Sequence, residues 1–89
     1  MNTKILEYII AIAEERSVSK AAERYYLAQP VLSKHLKNIE SDIGMPLFIR
    51  SHGEMKLTEA GIIYINNARA ILHVEQQLNE KLDMLKKKE

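Results

Sequence analysis

One segment, opened by a proline and closed by a glycine, constrains this chain more than any other feature. Pro30 follows Gln29, and Gly44 and Pro46 stand at the other end of the stretch. Proline suits a helix's first turn and is disfavoured deeper, while glycine with a proline two residues on is a strong stop. Between them Leu32, Leu36, Ile39 and Ile43 recur at steps of 4, 3 and 4, which puts them on one inward stripe. The segment therefore reads as a helix from Gln29 to Ile43 with a single buried side. At ~100° per residue, Pro30, Lys34, Lys37 and Ser41 point away from that side, with Gln29 and Ser33 on its shoulder. The outer face is rich in donors and poor in carboxylates, since Glu40 and Asp42 lie at the far end.

The flanking segments surround this helix with a small domain. Ile5, Leu6, Ile9, Ile10 and Ala13 follow helical spacing, widened by Tyr8 and Ile12, and so apolar an arc must be enclosed by its neighbours. This helix runs from about Thr3 to Glu15, with Asn2 or Thr3 as its cap. Ser17 offers a cap for a short second helix, Val18 to Tyr25, in which Ala21 and Ala22 permit a close helix crossing. After the bounded helix, Leu47 to Arg50 and Met55 to Leu57 flank Ser51-His52-Gly53-Glu54, two short strands around a glycine turn. Thr58 then caps a long helix reaching the C-terminus. Along it Tyr64, Ala68, Ile71, Val74, Leu78, Leu82 and Leu85 repeat at a mean step of 3.5, a coiled-coil period. Ile62, Ile65 and Leu72 on a neighbouring face hold its first half to the domain, and its charged tail Lys86-Lys87-Lys88-Glu89 is expected to fray.

The resulting fold class is mainly α: a winged helix-turn-helix of three helices and a two-stranded β wing, followed by a long linker helix. Residues 1–58 form the first unit, with the helix-turn-helix at about 18–37 and the wing at about 47–57, and 59–89 form the linker helix.

Composition narrows the function. At 89 residues, 46% hydrophobic and 28% charged, the chain is one globular domain rather than a disordered one. With no cysteine it holds neither a disulfide nor a thiolate metal site. The net charge of +1 is too low for a protein that wraps nucleic acid by charge alone, so any such binding depends on clustering. Residues 16–58 carry seven Lys and Arg against four Asp and Glu, an excess of three, whereas residues 1–15 are net −2 and 59–89 cancel. Ala11-Ile12-Ala13 resembles a leader cleavage site, but Glu7 interrupts the apolar run before it. Nothing approaches the ~20 apolar residues of a membrane span, and a cytoplasmic location follows. The histidines at 35, 52 and 73 lack the spacing of a metal site and the hydroxyls lack a triad partner, so neither an enzyme nor a cofactor is expected. His35 and Tyr25 read as packing residues and Tyr26 as part of a turn.

Such a helix face suits the major groove of duplex DNA. Gln29 presents a donor and an acceptor together, matching an adenine edge, and Pro30 offers an apolar surface to a thymine methyl. Ser33 serves either role, while Lys34 and Lys37 reach phosphate or guanine. Arg50 at the wing base reaches phosphate or a minor groove. Ser17 and, on the wing, Lys56 and His52 complete the candidate DNA contacts. The distal stripe of Ile71, Val74, Leu78, Leu82 and Leu85 is the candidate homodimer surface. The rival reading is a protein-interaction module that dimerises through its last helix, with the helix-turn-helix as scaffold.

These residues resemble the N-terminal domain of LysR-type transcriptional regulators. The match runs through Ala13-Glu14-Glu15, Ser17, Ala21-Ala22-Glu23-Arg24, Gln29-Pro30, Leu32-Ser33, Leu36, Ile39-Glu40, Gly44, Pro46-Leu47-Phe48, Arg50 and Leu57-Thr58-Glu59-Ala60-Gly61. The resemblance implies a recognition helix beginning at Gln29-Pro30, with Gln29, Pro30, Ser33 and Lys34 at bases or nearby phosphates and Arg50 anchoring the wing. It also implies a last helix that pairs with a second protomer. A ligand-binding domain normally follows in that family; it is absent from this sequence, and a small-molecule co-inducer is expected only there. Four positions depart from the pattern. Ala28 stands where Ser or Thr commonly caps the recognition helix, a loss of ~1 kcal/mol in typical cases. Lys34 replaces a more frequent Arg and lacks its bidentate fork. Val18 replaces Phe, and Glu54 puts an acid in a wing that is often basic.

Overall fold

The computed structural model describes residues 3–88. Its order is α1 (Lys4–Glu15), α2 (Val18–Arg24), α3 (Gln29–Ile43), β1 (Phe48–Ser51), β2 (Glu54–Leu57) and α4 (Glu59–Lys87). Three helices and a two-stranded antiparallel sheet thus precede one long helix, the winged architecture expected.

Helix α1 is the hub of the domain. It packs against α2, α3, α4 and β2, and Ile9, Ala11 and Ile12 have no exposed surface. Ala21 and Ala22 are fully buried in α2, which crosses α1 closely because neither carries more than a methyl group. Leu32 and Leu36 of α3, Leu47 and Phe48 at the wing root, and Ile65 and Ala68 of α4 complete the core.

The helix ends follow local chemistry, with two corrections. Asn2 lies outside the described residues, and Thr3 occupies the cap position of α1 without using its side chain there. Its hydroxyl instead contacts both carboxylate oxygens of Glu75 at 2.7 Å, stapling the start of α1 to the middle of α4. Ser17 caps α2 as expected, its Oγ accepting the Lys20 N–H at 3.1 Å. Ala28 leaves α3 without a side-chain cap, and Gly44 ends α3 in the left-handed region at φ 83°. Thr58 caps α4 by accepting the Gly61 N–H, while its own hydroxyl donates to the Pro46 carbonyl.

The apolar stripes of α3 and α4 are less completely buried than their spacing suggests. Ile39 is only half-buried and Ile43 is exposed, because α3 outruns the core beneath it. Along α4 the core side is Gly61, Ile65, Ala68 and Leu72, so Ile62, one residue on from Gly61, turns outward. The coiled-coil stripe starts on the core at Tyr64 and Ala68, then leaves it. Ile71, Val74, Leu78, Leu82 and Leu85 are all exposed. Helix α4 continues to Lys87; of the charged tail expected to fray, Glu89 lies outside the described residues. The radius of gyration, 15.2 Å, exceeds the ~12 Å of a compact chain this long, because the distal half of α4 stands clear of the domain.

Candidate nucleic-acid interface

Helix α3 offers its first turns to solvent. Gln29, Pro30, Lys34, Lys37 and Ser41 are exposed, and Ser33 is half-buried, as a stripe of Leu32 and Leu36 on the opposite side demands. Val31 is also exposed, at 44%, an apolar neighbour for Pro30 that spacing did not single out. His35 packs beside Tyr8, their rings 6.1 Å apart. Tyr25 meets Tyr8 edge-on at 5.1 Å, whereas Tyr26 is 96% exposed in the turn.

The wing is built from a tight hairpin. Strands β1 and β2 pair antiparallel with Ser51 opposite Glu54, leaving His52 and Gly53 as the loop, both at positive φ (52° and 76°). That is the backbone demanded by a two-residue turn matching strand twist. The Ser51 hydroxyl lies 3.1 Å from His52 Nδ1 and steadies the exposed ring. The hairpin is anchored at both ends. The Met55 N–H donates to the Arg16 carbonyl at 3.0 Å, and Glu40 Oε2 accepts the N–H groups of Leu47 at 2.7 Å and Phe48 at 3.4 Å. Glu40 therefore joins the end of α3 to the root of the wing, a task its sequence position did not announce.

This anchoring brings part of the expected site together. Ser17, Gln29 and Arg50 share a small polar cleft of about 80 Å³ between the helix-turn-helix and the wing, with Arg16 and Ser19 beside them. Arg50 pairs in register with Met55. Lys56, next along β2, pairs with Ile49 and takes the other face of the hairpin. It lines an adjoining hollow with Ala13, Arg16, Glu54 and Leu57, which neither Gln29 nor Arg50 enters. Ser17 spends its acceptor on the α2 cap and lies 3.0 Å from Ser19 Oγ.

Charge pairing sorts the cations of this region. Arg24 binds Glu14 at 2.7 Å and lies 3.5 Å from Glu15, and Arg69 of α4 reaches Glu14 at 3.3 Å. The Arg24 hydrogen bond, with help from Arg69 and against partial burial, holds the Glu14 carboxyl below its ordinary value. Arg16 pairs with Glu54 at 3.6 Å. Among the described residues Lys34, Lys37 and Arg50 enter no ion pair, so their charge stays available. No group of three His, Asp or Glu among the described residues could hold a metal ion, and no described helix is long and apolar enough to cross a membrane.

A short helix, a turn, a longer helix with an open polar face and a two-stranded wing define a winged helix-turn-helix domain of the DNA-binding type. Comparison with known proteins gives the family. The family model for bacterial regulatory helix-turn-helix proteins of the lysR family matches residues 3–62. This chain belongs to that family. The transcriptional regulator ClcR of Pseudomonas putida is 38% identical over 76 residues, covering 85% of this chain and 26% of ClcR. The chain thus spans about a quarter of the length of the regulators it matches. The DNA-binding domain of CbnR, solved in complex with DNA, superposes with a TM-score of 0.86 at 32% identity, covering 96% of this chain and 98% of that one. The DNA-binding domain of BenM, solved with catB site 1 DNA, gives 0.88 at 30% identity, covering 96% and 94%.

Proposed function

We propose that this chain is the DNA-reading domain of a bacterial transcription regulator, binding double-stranded DNA with sequence selectivity and without enzymatic activity. Helix α3 enters the major groove, and the wing rests on the backbone or minor groove. The observation that carries this reading is the shared cleft of Gln29 and Arg50, with Lys34 and Lys37 exposed further along α3 and in no ion pair among the described residues. A base-reading amide and a phosphate-seeking guanidinium there face one ligand. Gln29, Pro30, Ser33 and Lys34 meet bases or nearby phosphates, and Lys37 and Arg50 meet phosphate. His52 at the wing tip is a further backbone contact, and Ser17 and Lys56 contribute at the margins. The domain acts in the cytoplasm as a homodimer joined through α4, whose exposed Ile71, Val74, Leu78, Leu82 and Leu85 suit a partner helix and set two α3 helices on a palindromic site.

The test separates base from phosphate contacts after selecting a preferred site from random duplexes. Gln29→Ala weakens the selected site by ~1–3 kcal/mol and leaves random duplex binding nearly intact. Lys37→Ala weakens both and lowers the salt slope by about 1. Equal losses on both duplexes for Gln29→Ala would remove it from the reading set, and affinity indifferent to salt would point to a protein partner instead.

A further inference from the structure

Arg16 is an unusual residue for its place. It closes α1 in the left-handed region, at φ 56° and ψ 28°, where the Cβ of any L-residue is crowded and glycine is the default. Its backbone task is to offer a carbonyl to the Met55 N–H, which glycine performs equally well. The core asks nothing of its side chain either, which is 71% exposed. A side chain kept at a strained position without a packing role directs attention to what it faces. Arg16 lines the cleft that holds Gln29, Arg50 and the hydroxyls of Ser17 and Ser19. Two guanidiniums and the one hydroxyl proton left free by the Ser17–Ser19 pair, around a hollow of about 80 Å³, form a set of donors suited to one phosphate group rather than to a base.

On its other side Arg16 borders the hollow that Ala13, Glu54 and Lys56 line, and there it meets an anion. Glu54 Oε2 lies 3.6 Å from Arg16 Nη1, and both side chains are well exposed. An ion pair of that exposure is weak and exchanges readily. Glu54 sits next to the wing turn, paired with Ser51.

We infer that Arg16 is a DNA-phosphate contact, and that Glu54 is its exchangeable stand-in for phosphate in the free protein. The inference rests on the DNA-binding reading and adds to it a second anchoring arginine and a built-in brake. On binding, a backbone phosphate replaces the Glu54 carboxylate at Arg16, and the acid left beside the phosphate lowers the net gain. Affinity is thereby tuned down without loss of the contact.

Fluorescence anisotropy on a labelled mixed-sequence duplex, titrated between about 50 and about 200 mM salt, tests this. Arg16→Gly is expected to bind about tenfold more weakly, with a salt slope lower by about 1, while melting at a higher temperature because glycine fits the left-handed site. Arg16→Lys keeps the slope. Glu54→Gln binds roughly threefold more tightly, and that gain vanishes when Arg16 is glycine. Unchanged affinity and slope in Arg16→Gly, with the parent chain binding normally, would overturn the inference alone. A Glu54→Gln gain that persists without Arg16 would overturn the exchange, leaving only general repulsion. Failure of the parent chain to bind duplex at any salt would overturn the DNA-binding reading and this inference with it.

Discussion

Replacing Gly61 with alanine sets two effects of opposite sign against each other. Alanine is favoured over glycine inside a helix by ~0.8–1 kcal/mol, so propensity alone predicts a more stable α4. The structure predicts the reverse. Gly61 is buried in the first turn of α4, and a Cβ there would run into the Leu47 carbonyl oxygen and approach Leu57 Cδ2 to 2.9 Å. The Leu57 methyl can swing aside, but the Leu47 carbonyl cannot. It accepts the Thr58 N–H at 3.0 Å, and Leu47 itself is held by Glu40. Relief requires the start of α4 to move away by about 1 Å, a shift typical of overpacked sites. Three hydrogen bonds lie in that joint: Thr58 N–H to Leu47, the Thr58 hydroxyl to Pro46, and Gly61 N–H to Thr58. At ~1 kcal/mol each, losing all three outweighs the propensity gain and leaves a net loss of about 2 kcal/mol. For a domain of this size that corresponds to a melting temperature lower by about 8–16 °C. Melts followed by circular dichroism should be run at one fixed protein concentration, since association shifts the midpoint. An unchanged or raised midpoint would show that the joint yields freely and refute the reasoning.

Two further outcomes follow from the ion pairs and from the α4 stripe. Because Arg24 and Arg69 hold Glu14 below its ordinary value of 4.5, the folded chain binds fewer protons there than the unfolded one. The network's contribution is therefore complete above pH 4.5 and lost as pH falls through the lowered value; the melting difference between the parent and Arg24→Gln should shrink on acidification, and a pH-independent difference would exclude the pairing. Leu78→Glu combined with Leu82→Glu is expected to yield a folded monomer that binds a half-site weakly, since burying each leucine is worth roughly 1.5–3 kcal/mol; sedimentation of the parent as a monomer at high micromolar concentration would exclude the α4 dimer.

Features written in period and punctuation were legible in the sequence. The Pro30–Gly44 frame, the Ser17 and Thr58 caps and the glycine turn of the wing each follow from one residue's own backbone chemistry, and each stands where expected. Burial at the edges was less legible. Ile43 and Ile62 have the right period, but spacing does not say where the neighbouring element ends. Long-range polar contacts were not legible at all. Thr3 passes over its helix cap for Glu75, and Glu40 spends its charge on two wing amides, because partners distant in sequence are set by the assembled fold. The candidate site divides along the same line. Gln29 and Arg50 meet because α3 and the wing are tied together, while strand alternation sends Lys56 to the other face. Arg16 was passed over because nothing in its local spacing marks it; its left-handed backbone appears only in three dimensions.

The Thr3–Glu75 contact makes α4 a lever with a clamped fulcrum. Beyond Glu75 the helix runs free to Lys87, about 18 Å at 1.5 Å per residue. A tilt of roughly 5° at the fulcrum swings the far end by about 1.5 Å, a displacement comparable to the seating tolerance of a leucine side chain. The hydroxyl of Thr3, with the α1 packing and the Arg69–Glu14 pair before it, thus helps to set the aim of the arm that carries Leu78, Leu82 and Leu85.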